Sequence, residues 1–196
     1  LTAYFSKPSQ GDVKPLTPSE WGRFAHWLQE RKIVPEDLMT ADLQQLLDAW
    51  VDKNITLERL KILINRGPAL ALAMDKWMRA GLWVMTRSDK YYPARLKTHL
   101  KLNSPALLFG CGNMELLNLG GIAVVGSRDA SDENIEFTRK LGVLAAGQGY
   151  SVVSGGARGI DEAAMISTLE SEGTSVGILA NSLLQSVSTS KYRKYL

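Results

Sequence analysis

A single cysteine, Cys111, stands among the 196 residues, so no disulfide can form within the chain. That fits a reducing compartment, and the expectation is a cytoplasmic protein. No apolar run reaches the ~18 residues that a membrane-spanning helix needs, and no charged-then-apolar leader opens the sequence. The chain begins with Leu1 rather than Met, which points to a missing natural N-terminus. Histidine is scarce: His26 falls in a helical pattern and His99 in a basic segment, and no Cys/His cluster has metal-ligand spacing. Asp161 and Glu162 are adjacent, so on a helix they point ~100° apart and do not converge as an acid/base pair. With these absences the expectation is a protein that is not an enzyme and holds no cofactor or metal. Repeats and low-complexity tracts are also missing.

What is present is an ordinary globular composition, 45% hydrophobic and 22% charged, with a formal net charge of +3. The charge is unevenly placed. From Lys76 to Lys101 there are seven Lys/Arg (Lys76, Arg79, Arg87, Lys90, Arg95, Lys97, Lys101) against one acid, Asp89, with Trp77, Trp83, Tyr91 and Tyr92 in the same stretch. After Glu172 there is no acid, while Lys191, Arg193 and Lys194 close the chain. Basic clusters with interleaved aromatics suit a nucleic-acid surface. A solvated helix face with its flanking loop is the plainer reading of charge alone.

Hydrophobic periodicity divides the chain into a helical domain over 1–81, a linker with short strands over 82–120, and an α/β domain over 121–196. Thr17-Pro18-Ser19-Glu20 reads as a capping box, followed by Trp21, Phe24, Ala25 and Leu28 on one helical face. Thr40 is the expected cap of a second helix through Leu43, Leu46, Leu47 and Trp50. A third helix starts at Thr56, and a fourth runs from Pro68 to Gly81. The tryptophans at these spacings read as core rather than as base-stacking platforms. Residues 82–86 and 106–112 read as strands. The apolar run at 122–126 reads as a strand buried on both faces, 151–154 as a second buried strand and 176–179 as a third strand. They alternate with helices over 131–147 and 160–172, which implies a parallel Rossmann-like sheet.

In such a sheet ligands bind beyond the carboxyl ends of the strands. Two loops lie there: Gly126-Ser127-Arg128, and Ser154-Gly155-Gly156-Ala157-Arg158-Gly159. Adjacent strand ends are ~5 Å apart, so both loops are expected on one rim. Glycines let backbone amides approach an anion, Ser127 and Ser154 add hydroxyls, and Arg128 and Arg158 add forks that fit phosphate. The following helix directs its N-terminus to the same place. Against this, Asp132, Glu133, Asp161 and Glu162 satisfy the helix N-termini themselves, leaving the attraction to the arginines. Neither loop has dinucleotide-fingerprint or Walker A spacing.

"YPARL" (92–96), "PALLFGCGN" (105–113), "IAVVGSR" (122–128) and "SGGARGIDEAA" (154–164) occur in this order. Together they resemble the motifs of the DprA/Smf (DNA-processing protein A) family, whose Rossmann-like domain binds single-stranded DNA, dimerises and helps load a RecA-type recombinase during natural transformation. The resemblance covers Gly126, Ser127, Arg128, Ser154, Gly155, Gly156, Ala157, Gly159, Ile160 and Asp161 and implies that Arg128 grips a backbone phosphate; the candidate phosphate-binding set of Gly126, Ser127, Arg128, Ser154, Gly155, Gly156 and Gly159 gains Arg158 from its own chemistry. The resemblance also implies a basic residue at Lys191, more loosely, and a loop-pinning role for Asp161. Single-stranded DNA, a recombinase and a second copy are the implied partners. The chain departs from the family at Met165, where His is common, and lacks its downstream Pro-x-Gly and Asn-Phe-Pro-x-Arg-Asn blocks, so the sheet is expected to be incomplete. Two other readings stay open. "SGGARGIDEAA" is distantly similar to lysine-decarboxylase-like nucleotide phosphoribohydrolases, whose Pro-Gly-Gly-x-Gly-Thr-x-x-Glu block is absent; an interaction scaffold with a vestigial pocket is the other.

Overall fold

The computed structural model describes residues 1–5, 12–180, 183–188 and 193–195. The chain divides into two compact units, Leu1–Lys90 with Ala94–Phe109, and Tyr91–Pro93 with Gly110–Leu196. The segment 82–120, read from the sequence as a linker, is thus shared between them.

The first unit is built from α1 (Pro18–Glu30), α2 (Asp37–Thr40), α3 (Leu43–Leu46), α4 (Leu57–Ile64), α5 (Gly67–Arg79), β1 (Leu82–Thr86), α6 (Ala94–Leu100), a 3-10 turn (Lys101–Asn103) and most of β2 (Leu107–Cys111), which pairs with β1. Thr17 and Glu20 form the capping box of α1: the Glu20 amide donates to the Thr17 hydroxyl and the Thr17 amide to the Glu20 carboxylate. Thr56 caps α4 with its hydroxyl alone, accepting from the Arg59 amide. Phe24, Leu28, Leu38, Leu47, Ile55, Leu60 and Leu63 make the core, with Trp21, Trp27 and Trp50 packed against it. The Trp50 ring lies edge-on to Phe24 with centroids 5.1 Å apart, and its indole N–H donates to the Ile55 carbonyl. A Trp ring packed against a core usually finds such a partner for its N–H.

Two local expectations differ. The second helical pattern, Leu43 to Trp50, forms only the short α3, after a separate α2 that ends at Thr40, and the cap of α3 is Asp42, whose carboxylate accepts from the Gln44 amide. Thr40 instead donates its hydroxyl back to the Glu36 carbonyl, the alternative bond that threonine makes inside a helix. The supposed linker contains α6 and the 3-10 turn. Both belong to the first unit because α1 meets the turn closely: a Cβ on Gly22 would overlap the Leu102 carbonyl oxygen.

The second unit holds α7 (Leu116–Leu119), β3 (Ile122–Ala123), α8 (Asp132–Gly147), β4 (Val152–Ser154), α9 (Ile160–Glu170), β5 (Ser175–Gly177) and α10 (Leu183–Ser188). The three strands are parallel in the order β3-β4-β5, with Ile122 beside Val152 and Val152 beside Ser175. This is the Rossmann-like α/β arrangement expected from the sequence. Ser131 caps α8, accepting from the Asn134 amide.

Burial on both faces is not observed. Val124 and Val152 pack with Ala145 of α8 and with Ala164 and Met165 of α9, whereas Val125 is 77% and Ile178 64% exposed. When strands are added in one direction, right-handed crossovers put successive helices on the same side. Among the described residues α8 and α9 therefore pack on one face of the β3-β4-β5 sheet. Met165 is part of that packed face, 6% exposed.

Candidate nucleic-acid interface

Beyond β3 the ladder continues for one step, with the Val124 amide donating to the Val153 carbonyl at 2.9 Å. The chain then turns at Gly126, where a Cβ would lie 2.6 Å from the Ile160 Cβ, so only glycine fits. Gly159 sits at φ +88°, and a Cβ there would overlap the Ser127 carbonyl oxygen. The Ile160 amide donates to that same oxygen at 3.2 Å. The loop after β3 and the loop after β4 are therefore in direct contact on one rim of the sheet.

Asp161 holds them together. It lies in the first turn of α9, 6% exposed, and its two carboxylate oxygens accept from the Gly126 amide and the Gly155 amide, each at 3.1 Å. The sequence assigned Asp161 to its own loop; the structure shows it bridging both. Two offered anion donors are thus already engaged by an internal anion.

Three further assignments change for related reasons. The Ser154 hydroxyl, 3% exposed, donates to the Val124 carbonyl at 2.7 Å and ties β4 to the strand beside it, so it does not face a ligand. The first turn of α9 is closed on the loops: its Ile160 and Glu162 amides donate to the Ser127 and Ala157 carbonyls. The helix terminus is therefore not an open anion site. Gly155 is occupied as described, and Gly156, at φ +67°, supplies a left-handed turn whose Cβ position is blocked by Leu179.

Ser127, Arg128 and Arg158 remain exposed at the rim, with Gly156 and Gly159 half-buried beside them. Arg158 is ion-paired through Nη2 to the Asp129 carboxylate, and both side chains are largely exposed. The Asp129 amide donates to the Ser127 hydroxyl oxygen at 3.1 Å. Asp129 was not singled out from the sequence, although an acid directly after Arg128 in a glycine loop was a visible signal. The Arg128 side chain has no hydrogen bond or ion pair among the described residues. Lys191 lies outside the described residues. Among those residues no group of three His, Cys, Asp or Glu is placed to hold a metal ion, and no helix is long and apolar enough to cross a membrane. The chemistry of the rim is electrostatic: two exposed guanidinium groups, one free and one held in a solvent-screened pair that a phosphate can displace at small cost.

The chain is 27% identical over 147 residues to the DNA processing protein DprA of Bacillus subtilis, an alignment that takes in 71% of this chain and 49% of that protein. It is 35% identical over 81 residues to DprA of Streptococcus pneumoniae, covering 41% of this chain and 28% of that one. Against the protein Smf of Escherichia coli it is 34% identical over 95 residues, with 48% and 25% covered. The chain therefore spans half or less of the length of these relatives. The X-ray structure of DNA processing protein A from Streptococcus pneumoniae superposes with a TM-score of 0.48 at 24% identity, over 84% of this chain and 58% of that one. A family model described as DNA recombination-mediator protein A matches residues 83–195, which takes in both rim loops and all four motif blocks. The chain belongs to the DNA recombination-mediator protein A family.

Proposed function

We propose that the chain binds single-stranded DNA at the rim formed by the loops after β3 and β4, and acts without catalysis in DNA processing or recombination. The observation that carries this reading is the clamping of two arginine-bearing loops against each other by Asp161, with the Arg128 guanidinium left exposed beside Arg158. Such a rim suits a backbone phosphate, so binding is expected to be salt-dependent and nearly indifferent to sequence. Family membership supports DNA as the ligand. A RecA-type recombinase, a second copy of the chain and a cytoplasmic setting in natural transformation complete the proposal.

The test is an anisotropy titration of a labelled single-stranded oligonucleotide against the unaltered chain and an Arg128→Gln/Arg158→Gln variant. Loss of two phosphate contacts should flatten the slope of log K against log salt by about 1.4. Unchanged affinity and slope in that variant overturn the reading. So does binding of a nucleoside monophosphate with release of free base, which is the behaviour of a phosphoribohydrolase.

A further inference from the structure

We propose that the first unit carries a second nucleic-acid contact, a phosphate-binding surface on the turn after β1, α6 and the 3-10 turn, with Arg87, Arg95 and Lys101 as its main cations. This rests on the reading of the chain as a DNA binder and adds cations outside the two rim loops.

Charge concentration is the first support. Between residues 87 and 101 there are five Lys/Arg and one acid, a formal +4, whereas the whole chain carries +3, so all remaining residues together sum to −1. The chain's basicity is thus gathered in one short stretch of the first unit. The one acid is turned to its own backbone: an Asp89 carboxylate oxygen accepts from the Thr86 amide at 2.6 Å and the Thr86 hydroxyl at 2.9 Å. Arg95 and Lys101 are exposed and Arg87 half-buried, and none of the three has an ion-pair partner among the described residues. On α5, by contrast, Arg79 is paired with Asp75 at 3.1 Å one turn away.

The fate of the aromatics is the second support, and it defines the ligand chemistry. Tyr92 is 3% exposed, Trp77 lies edge-on to Phe109 with centroids 5.0 Å apart, and Trp83 and Tyr91 are half-buried. The Trp and Tyr side chains here are buried or half-buried, while Arg95 and Lys101 are exposed. The exposed groups of this surface are thus cations more than rings, and the ligand chemistry it fits is the phosphate backbone.

Anisotropy titrations of the full chain with oligo-dT and oligo-dA of about 30 nucleotides, from about 50 to about 300 mM salt, test this. Compared are the unaltered chain, Arg87→Gln/Arg95→Gln/Lys101→Gln, and the rim variant Arg128→Gln/Arg158→Gln. The triple variant should lower the salt slope by about 2 and the affinity at least about tenfold, equally for both oligonucleotides. If only the rim variant weakens binding, the second surface is overturned and the rim reading stands. If only the triple variant does, the rim reading falls and the second surface stands. Capture by phosphatidylserine vesicles that the triple variant abolishes, with DNA affinity unchanged, also overturns the proposal in favour of a membrane contact. Should the triple variant lose its far-UV dichroism, Arg95→Gln and Lys101→Gln singly should each lower the slope by about 0.7, and no change in either overturns it.

Discussion

Replacing Asp161 by alanine should loosen both rim loops and destabilise the second unit. The carboxylate is 6% exposed and accepts two backbone amides, Gly126 and Gly155, at 3.1 Å each. A hydrogen bond to a charged group contributes about 1.5–3 kcal/mol. Gly126 is exposed and Gly155 half-buried, so water replaces part of what is lost and the lower end applies, about 3 kcal/mol for the pair. For a domain of about 60–100 residues each kcal/mol shifts the melting temperature by roughly 4–8 °C, so a fall of more than about 10 °C is expected. The choice of probe matters. All five tryptophans, Trp21, Trp27, Trp50, Trp77 and Trp83, lie in the first unit, so their fluorescence is not a direct probe of the second. Far-UV dichroism and amide hydrogen exchange read the second unit directly. Asp161→Asn should lose at least half as much, because its amide keeps one acceptor and turns a donor toward an N–H group. A loss below about 1 kcal/mol in the alanine variant, with exchange at Gly126 and Gly155 unchanged, would refute the bridging role.

Two further outcomes follow from packing and charge. In Gly142→Ala the new methyl would overlap the Ser167 hydroxyl and lie 2.8 Å from the Ala164 carbonyl, so α8 and α9 must separate; the cost of about 1–3 kcal/mol should exceed the ~1 kcal/mol that alanine adds to helix propensity, and a raised melting temperature would refute that close contact. In the first unit the Arg59 guanidinium, hydrogen-bonded to Glu20 at 2.9 Å, holds the Glu20 carboxyl below the usual carboxylate range. A depressed folded-state value means that the stabilisation is present above the unfolded value of about 4.3 and is lost as pH falls through the folded one. Urea midpoints read by tryptophan fluorescence should therefore drop between about pH 5 and about pH 3, and drop less in Arg59→Met; an equal drop in both would remove the pair from the account.

Much of the secondary structure was legible because its causes are local. The capping box at Thr17, the caps at Thr56 and Ser131, and the proline in the first turn of α5 act within one helical turn, and each begins a helix where the pattern places it. The parallel strands and the two loops after them were legible for a similar reason: apolar runs alternating with helical periods leave few topologies. The aromatic periodicity of α1 likewise marked Phe24 as core, and it is 0% exposed. The short α6 was not legible. Leu96 and Leu100 repeat only once, and the close approach of the 3-10 turn to Gly22 that anchors the region involves residues about 80 positions apart in sequence.

By itself the sequence determined the helical first unit, the Rossmann-like order of the second and the place of the candidate rim, since each follows from periodicity, caps and glycine positions. Only the tertiary structure decided what the rim groups do. Asp161 fills a cradle that amides and glycines alone would leave open to an outside anion, Ser154 turns inward to Val124, and Asp129 takes Arg158 while Arg128 stays exposed. It also decided that Val125 and Ile178 face outward, because a run of valines reads the same whether one face of a sheet is covered or two. A hydrogen-bond donor has one nearest acceptor, and which one it meets depends on groups brought together across dozens of residues. That choice is made by packing and is not written in any single stretch of chain.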